Sequence, residues 1–217
     1  MGRPRKHDEA TGRALLAAAE AIVESGGVDA LSMRSVASWA GTTTRAVYSV
    51  FGSKDVLVAA LGAHAFHVLG DSVESLITTG DPAADLVEAG ARGFRSFACE
   101  HPSLFRLAIQ QSAIPTELVA TFRPAAEAAM AGLEQRLARL EQARLLGGRS
   151  VHDAVCQFHA LCEGLAALEL RGVFSRESDP ERLWREALSA LIGGFAIAPG
   201  GAPKASPSSA LSKVSRD

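Results

Sequence analysis

Five polar or charged side chains lie within twelve residues of one another, at Thr43, Thr44, Arg45, Tyr48 and Lys54. The free N–H groups and hydroxyls at the start of a helix bind phosphate oxygens, and an Arg in the first turn can reach the O6 and N7 edge of guanine. A tyrosine one turn later can donate its hydroxyl to a phosphate, and a lysine opening the next helix adds a cation. This combination indicates contact with double-stranded DNA.

The charge distribution supports contact with phosphate at one end of the molecule only. Residues 1–54 contain seven Lys or Arg and five Asp or Glu, whereas the rest contains 15 and 19. The net charge of −2 is not that of a general nucleic-acid coat. Arg34 is a further candidate DNA contact. Arg3, Arg5 and Lys6 form a basic arm of the kind that follows a minor groove.

The elements that must position these groups are two short helices joined by a glycine turn, over residues 32–51. Ser32 is a good N-cap for the first, although Ser35 stands where a capping box prefers Glu. Gly41 can adopt the left-handed conformation that the turn requires, and Thr43 or Thr44 caps the second helix. A helix-turn-helix of this kind places its later helix in the major groove.

A preceding helix from about Asp8 to Ser25 completes a three-helix unit. Leu15, Ala19, Ile22 and Val23 recur on it at helical spacing, and Gly26-Gly27 ends it. Ser53 caps a long fourth helix that starts at Lys54 and ends at Thr79-Gly80. We expect the core of the unit to be formed by Ile22, Val36, Ala37, Ala40, Val47 and Phe51.

The remaining chain also predicts helices, over about 82–99, 102–111, 116–145, 151–171 and 180–197. The fold class is therefore all-α, with about nine helices. We divide the chain into a basic disordered arm (1–7), a helix-turn-helix domain (8–53), a larger helical ligand-binding and dimerisation domain (54–198) and a disordered tail (199–217). No apolar run approaches the roughly 20 residues of a membrane span, and the three cysteines are sparse. These features favour a soluble cytoplasmic protein.

Residues 8–61 resemble the DNA-binding domain of the tetracycline-repressor (TetR) family. The resemblance rests on Ala40-Gly41 in the turn, on Tyr48 and Phe51, and on Lys54 opening the fourth helix. Thr42 replaces the usual apolar residue of the turn, Val50 stands where histidine is common, and Trp39 has no assigned role. The resemblance implies a larger C-terminal helical domain that dimerises and often encloses a ligand cavity.

The segment 94–107 resembles one C-terminal subfamily, named for a Trp, a His and a Gly in a later helix. Gly164 matches the Gly of that pattern. Glu163 stands at the expected His, and His159 lies near the expected Trp. The subfamily match is therefore partial.

Two C-terminal segments, 151–171 and 180–197, are the candidate homodimer interface, since both carry more apolar surface than one neighbour covers. Paired across a two-fold axis, they would form a four-helix interface. Ordinary packing within one chain is the alternative. The apolar residues concerned are Val155, Leu161, Leu165, Leu168, Leu188, Leu191, Ile192 and Phe195.

A ligand cavity in the larger domain has aromatic candidates for its walls, although each of them could equally pack in the core. The predicted ligand-binding residues are Phe97, Phe105, Phe122, Phe158 and His159. We expect an apolar small-molecule effector, no cofactor and no metal site, because Cys156, His159 and Cys162 would diverge around one helix.

The leading hypothesis is a ligand-responsive transcriptional repressor that binds a palindromic operator as a homodimer. One alternative is a small-molecule enzyme that uses the helical cavity. The sequence contains no phosphate-binding Gly-rich loop or nucleophile elbow, and Glu163 and Glu169 are expected on a helix surface, so we predict no enzyme activity. A second alternative is a non-specific architectural DNA-binding protein, which the acidic net charge disfavours.

Overall fold

The computed structural model describes residues 5–110, 119–174 and 179–197, with the backbone alone for residues 5–9 and 119. All regular secondary structure in these ranges is helical, and the predicted all-α class is confirmed. The helices are α1 (Arg5–Ala30), α2 (Met33–Trp39), α3 (Thr44–Phe51), α4 (Lys54–Glu74), α5 (Pro82–Glu88), α6 (Arg95–Glu100), α7 (Pro102–Ala108), α8 (Val119–Gln142), α9 (Val151–Leu170) and α10 (Pro180–Phe195). A π-helical segment (Ala89–Phe94) joins α5 to α6. Because α5, this segment and α6 form one continuous rod, the described residues contain nine separate helical rods.

The caps of α2 and α3 are made by the residues that the sequence predicts. Ser32 and Ser35 form a complete capping box, in which the Ser35 hydroxyl accepts the Ser32 N–H at 2.9 Å. Serine therefore serves where glutamate is usual. Thr43, rather than Thr44, caps α3, and its hydroxyl accepts the Ala46 N–H at 3.2 Å. Gly41 between them has φ +63°, the left-handed conformation expected of the turn.

The first helix begins earlier than predicted. It starts at Arg5 rather than near Asp8, so the backbone of Arg5 and Lys6 is helical and not part of a disordered arm. Arg and Lys are good helix formers, which explains the extension. Residues 1–4, with Arg3, and the predicted tail 199–217 lie outside the described residues. The predicted end at Gly26-Gly27 is confirmed by non-helical geometry at Gly27, beyond which helical bonding resumes to Ala30.

Helix α4 connects the N-terminal three helices to the rest of the chain, contacting α1 and α3 at one end and α7 and α8 further along. By length and composition alone it could cross a membrane, which the hydropathy of the sequence did not lead us to expect. Its buried residues, among them Leu57, Leu61, Ala65 and Leu69, belong instead to the protein core. We therefore interpret α4 as a core helix.

Helix α4 ends at Glu74, five residues before the predicted end at Thr79. The chain leaves the helix because Thr79 is held by Asp85 of α5. The Asp85 carboxylate accepts the Thr79 N–H at 2.9 and 3.0 Å and its hydroxyl at 2.7 Å. Arg139 of α8 donates to the same carboxylate at 2.7 Å and to the Thr79 carbonyl at 2.6 Å. This cluster joins α5, α8 and the loop after α4.

One hydrophobic core runs through both predicted domains, from Leu15 and Val36 to Trp184 and Phe195. The expected core residues Ile22, Val36, Ala37 and Val47 are buried, and Ala40 and Phe51 are partly buried against them. The three-helix unit is thus packed directly on the larger helical body. A displacement within the body can therefore reach the unit through packed side chains.

Candidate nucleic-acid interface and internal cavity

Helix α3 turns one face inward and leaves the opposite face to solvent. Val47 is fully buried and Phe51, one turn later, is partly buried. Arg45, Tyr48 and Ser49 lie at i, i+3 and i+4 and are all exposed, with 52% of Tyr48 accessible. The outer face of α3 can therefore meet a DNA groove. Ser49 was missed from sequence, although its spacing from Arg45 could have identified it.

The cations around this face are free to bind an anion. Arg45, Lys54 and Arg34 are exposed, and among the described side chains none of the three has a carboxylate within 4.0 Å. The first turns of α2 and α3 contain no acidic residue, so their helix dipoles are not neutralised there. Thr43 and Thr44 stand exposed and half-exposed at the start of α3. The arrangement presents positive potential beside an aromatic hydroxyl.

Trp39 and Thr42 depart from the family pattern, and the structure places both at the surface. Trp39 is 61% exposed at the end of α2. Its ring has no hydrogen-bond or aromatic partner among the described residues, and its role stays unassigned. The Thr42 side chain is exposed, so water satisfies its hydroxyl, while its backbone N–H donates to the Ala37 carbonyl at 2.9 Å. The turn therefore tolerates threonine.

The larger body contains a cavity of about 110 Å³ between α4, α8 and α9. The lining residues of α4 run from Phe66 to Glu74, a length of about 12 Å along the helix axis. Phe94 and Phe158 line the cavity opposite α4, and Ile109 lines it just beyond α7. It is an elongated apolar cavity that extends along α4, one of the helices that contact α1.

Two of the five predicted ligand-binding residues line this cavity, and three do not. Phe158 and His159 are in its wall. Phe97, Phe105 and Phe122 are buried core side chains outside its wall. Phe105 packs edge-on against the cavity residue Phe94, with ring centroids 6.1 Å apart, and Phe122 stacks on Phe66 at 6.1 Å. Periodicity identified inward-facing rings, but it could not tell a cavity wall from the rest of the core.

The polar groups of the cavity differ in charge and exposure. Burial lowers the pKa of His159, while Glu163 at 3.7 Å opposes that effect. Burial raises the pKa of the Cys162 thiol, so it stays protonated and inert at neutral pH. Arg136 also lines the cavity, with one N–H donating to the Val73 carbonyl at 3.0 Å. Sequence reasoning missed Arg136, because nothing in the pattern of α8 distinguishes it from a surface arginine.

Two glutamates of α1 bind the body directly. Glu20 lies between two histidines: its carboxylate is 3.0 Å from His64 Nε2 of α4 and 2.9 Å from His101 Nδ1, just before α7. Glu24, one turn later, accepts the backbone N–H groups of Ser103 and Leu104 at 3.0–3.1 Å. A carboxylate at a helix start is stabilised by the helix dipole. The N-terminal three-helix unit is thus anchored to α4 and α7.

The proposed interface helices are largely occupied by packing within the chain. Five of the eight apolar residues assigned to a dimer are buried here, because they face the internal core; they are Val155, Leu165, Leu188, Ile192 and Phe195. Leu161, Leu168 and Leu191 remain partly exposed. The outer faces of α9 and α10 carry small exposed residues, including Ala160, Gly164, Ala190 and Gly193.

The two carboxylates considered for acid–base chemistry do not form a pair. Glu163 lies beside His159. Glu169 is part-buried, contrary to the expected helix surface, and accepts hydrogen bonds from Arg95 at 2.7–3.1 Å and from Trp184 Nε1 at 2.8 Å. This network joins α6, α9 and α10. The geometry gives Glu169 a structural role.

Comparison with protein families gives two matches that together span most of the described chain. Residues 15–61 match the model of bacterial regulatory proteins of the tetR family. Residues 87–191 match the model of the tetracyclin repressor-like C-terminal domain. No curated protein matches the sequence. The partial resemblance to the Trp-His-Gly subfamily stays a prediction.

Solved structures share the fold at low sequence identity. A protein of unknown function from Rhodococcus sp. RHA1 is 24% identical, with a TM-score of 0.74 over 86% of this chain and 95% of its own. The TetR family transcriptional regulator PfmR from Thermus thermophilus is 18% identical, with a TM-score of 0.61 over 82% and 96%. AibR, solved with isovaleryl coenzyme A and operator DNA, is 14% identical, with a TM-score of 0.61 over 84% and 98%.

An exposed recognition helix on a three-helix unit, a larger helical body and two matching family models all agree with the resemblance seen in the sequence. The chain therefore belongs to the TetR family of bacterial regulatory proteins and is a DNA-binding transcription regulator.

Proposed function

We propose that the protein is a ligand-responsive repressor that binds a palindromic operator as a homodimer. The observation that carries this proposal is the outer face of α3, where Arg45, Tyr48 and Ser49 are exposed while Val47 anchors the helix in the core. A helix held in this way can enter a major groove without unfolding any packed surface.

The contacts divide by chemistry. Arg45, in the first turn of α3, reads a guanine edge through two parallel hydrogen bonds. Thr43, Thr44, Tyr48 and Lys54 bind phosphates and set the register of the helix on the duplex. Arg34 at the start of α2 and the arm residues Arg3, Arg5 and Lys6 add further backbone contacts.

A homodimer follows from the need for specificity, because one small reading unit contacts only a few base pairs. Two units related by a two-fold axis read two half-sites about one helical turn apart. The segments 151–171 and 180–197 form the interface, through the partly exposed leucines and the small outer residues of α9 and α10. Small residues allow close approach of helices across the axis.

The cavity holds the effector, and α4 and α7 transmit its binding. Phe66 of α4 and Ile109 just beyond α7 both line the cavity. The same two helices hold α1 through Glu20 and Glu24. A ligand that binds one arrangement of α4 and α7 more tightly than the other shifts the equilibrium toward that arrangement, and with it the spacing of the two three-helix units. The difference between the two affinities sets the size of this shift. AibR, with its ligand and operator, shows that this fold can hold both.

The finer assignments belong to this proposal as well. The DNA-binding domain comprises residues 8–53 and the ligand-binding domain residues 54–198, with α4 as the shared element. The protein acts in the cytoplasm without catalysis, and its partners are operator DNA, the effector and a second copy of the chain.

Footprinting the full-length protein on the DNA upstream of its own gene tests the proposal. We expect two symmetric protected half-sites about one turn apart at moderate salt. Uniform protection with a steep salt dependence would instead support the architectural alternative. A single unpaired half-site would contradict the dimer.

Charge neutralisation at Glu20 tests the route from the body to the reading unit. Wild type should prefer the natural half-site spacing over altered spacings. We expect this preference to be several-fold weaker in Glu20→Gln, because the carboxylate no longer fixes α1 against His64 and His101. Gel-shift titration on a spacer series measures the preference. Asp29→Asn is the matched control, since Asp29 is an exposed acid of the same helix. An unchanged spacing preference in Glu20→Gln would refute this route.

A further inference from the structure

Arg136 is the arginine that lines the cavity among the described residues. Arg95, Arg139 and Arg185 each bind a carboxylate of the protein. Arg136 is partly buried in the cavity wall, and in the described part of the chain no carboxylate lies within 4.0 Å of it. Within the described residues, its guanidinium donates a hydrogen bond to the Val73 carbonyl, at the end of α4. The remaining N–H groups of its planar fork suit a carboxylate.

The rest of the cavity suits one aromatic ring. Phe66, Phe94 and Phe158 line it, and Phe94 already makes an edge-to-face contact with the His159 ring, at 6.1 Å and 81°. Aromatic rings favour such offset and edge-on neighbours. An apolar protein cavity of about 150 Å³ holds benzene, so the 110 Å³ here is of the right order for one ring.

The acid at the same end limits the charge of the ligand. Glu74 lines the cavity in the last turn of α4, next to Val73, and is exposed to solvent. Solvent screens the repulsion between Glu74 and a single ligand carboxylate, whose charge Arg136 neutralises. A second carboxylate on the same ring would meet Glu74 without a cation of its own, and like charges oppose binding.

We propose that the cavity binds a small aromatic monocarboxylate, with its ring among Phe66, Phe94 and Phe158 and its carboxylate on Arg136. This inference rests on the proposed role of the cavity as the effector site and specifies the chemical class of the effector. Burial leaves His159 neutral near physiological pH, so Arg136 is the cation that selects the anion.

Isothermal calorimetry on the full-length protein without DNA tests the ligand class with four probes. Benzoate is the expected ligand. Benzamide has the same shape without the charge, phthalate adds a second carboxylate, and hexanoate keeps the charge without the ring. We expect benzoate to bind at least about tenfold more tightly than each of the others. No binding of benzoate, or equal binding of benzamide, would overturn the proposal, and tighter binding of hexanoate would overturn the aromatic assignment.

Two variants locate the site. Arg136→Gln should lose about tenfold in benzoate affinity and bind benzamide as before, whereas Arg123→Gln, an exposed arginine of the same helix outside the cavity, should bind both normally. Ala129→Phe, which fills the cavity, should abolish binding of both probes while circular dichroism reports an intact fold. Equal benzoate affinity in wild type and Arg136→Gln would overturn the role of Arg136.

A gel shift with the operator separates this inference from the proposed function. Specific operator binding without benzoate binding would overturn the ligand class and leave the repressor in place. Benzoate binding that does not change operator affinity would confirm the site and overturn its regulatory role.

Discussion

Replacing Arg45 with alanine is expected to lower operator affinity at least about thirtyfold, because a bidentate Arg–guanine contact is worth about 1–3 kcal/mol and the proposed dimer would make two of them. Arg45 is exposed in the first turn of α3, and it has no acidic partner among the described residues. Its substitution therefore breaks no ion pair within the described part of the protein. The loss should be concentrated at one base pair in each half-site. Binding to operators carrying each substitution at that pair measures the lost preference.

Lys54→Ala provides the comparison that separates base-specific contacts from phosphate contacts. Lys54 opens α4 beside Ser53, which caps the helix through the Val56 N–H at 3.2 Å. Its removal should weaken binding to all sequences alike and reduce the salt slope by about two for a dimer. Arg123→Ala, a change at an exposed position of α8, should alter neither property. Uniform weakening in Arg45→Ala, without relaxed base preference, would reassign Arg45 to the phosphates.

The second large effect concerns stability. Asp85→Ala should lower the free energy of unfolding by about 2–4 kcal/mol, because it leaves Arg139 and the Thr79 N–H without their acceptor. Asp85 is only 4% exposed. The side chain of Arg139 is 30% exposed, so we expect a smaller loss in the free energy of unfolding than for a wholly buried ion pair. Urea unfolding at a fixed protein concentration measures the change.

Asp81→Ala is the matched control for this variant, since Asp81 lies four residues before Asp85 and caps α5 from an exposed position. It should cost about 1 kcal/mol, the usual value of an N-cap. If the two variants lose equal stability, the Asp85 cluster has no special role.

Acid should remove the advantage of Asp85. Burial alone would raise the pKa of this carboxyl, but hydrogen bonds from Thr79 and Arg139 outweigh it and hold the pKa below its ordinary value. A depressed folded-state pKa gives stability that is present above the unfolded value, about 3.9, and lost as pH falls through the folded value. The difference between wild type and Asp85→Ala should therefore shrink below about pH 4.

Local sequence signals were sufficient to predict the caps and turns of the N-terminal three-helix unit. Ser32, Gly41, Thr43 and Ser53 each take the cap or turn role predicted from their type and spacing, because these roles involve only residues three or four positions apart. The one departure, the start of α1 at Arg5, is a boundary set by weak propensities. The exposure of Arg45 and Tyr48 followed from the burial of Val47 on the opposite side of the same helix.

Long-range packing decided the rest. Phe97, Phe105, Phe122 and Phe158 have the same apolar character and inward periodicity, yet Phe158 alone of the four lines the cavity. The same limit applies to α9 and α10, where five of the eight apolar residues assigned to a dimer interface are buried in the chain's own core. A periodic pattern predicts which side of a helix is buried. It does not predict whether that side packs against the core, a cavity or another subunit.

The sequence by itself determined the all-α class, the caps and the helix-turn-helix, since each depends on hydrogen bonds and periodicities within a few residues. The tertiary structure alone decided that Arg136 lines the cavity without an ion-pair partner among the described residues, that Glu20 lies between His64 and His101, and that Asp85 binds Arg139. The physical reason is that these contacts join groups 44 to 81 residues apart, and only the packing of whole helices brings them together.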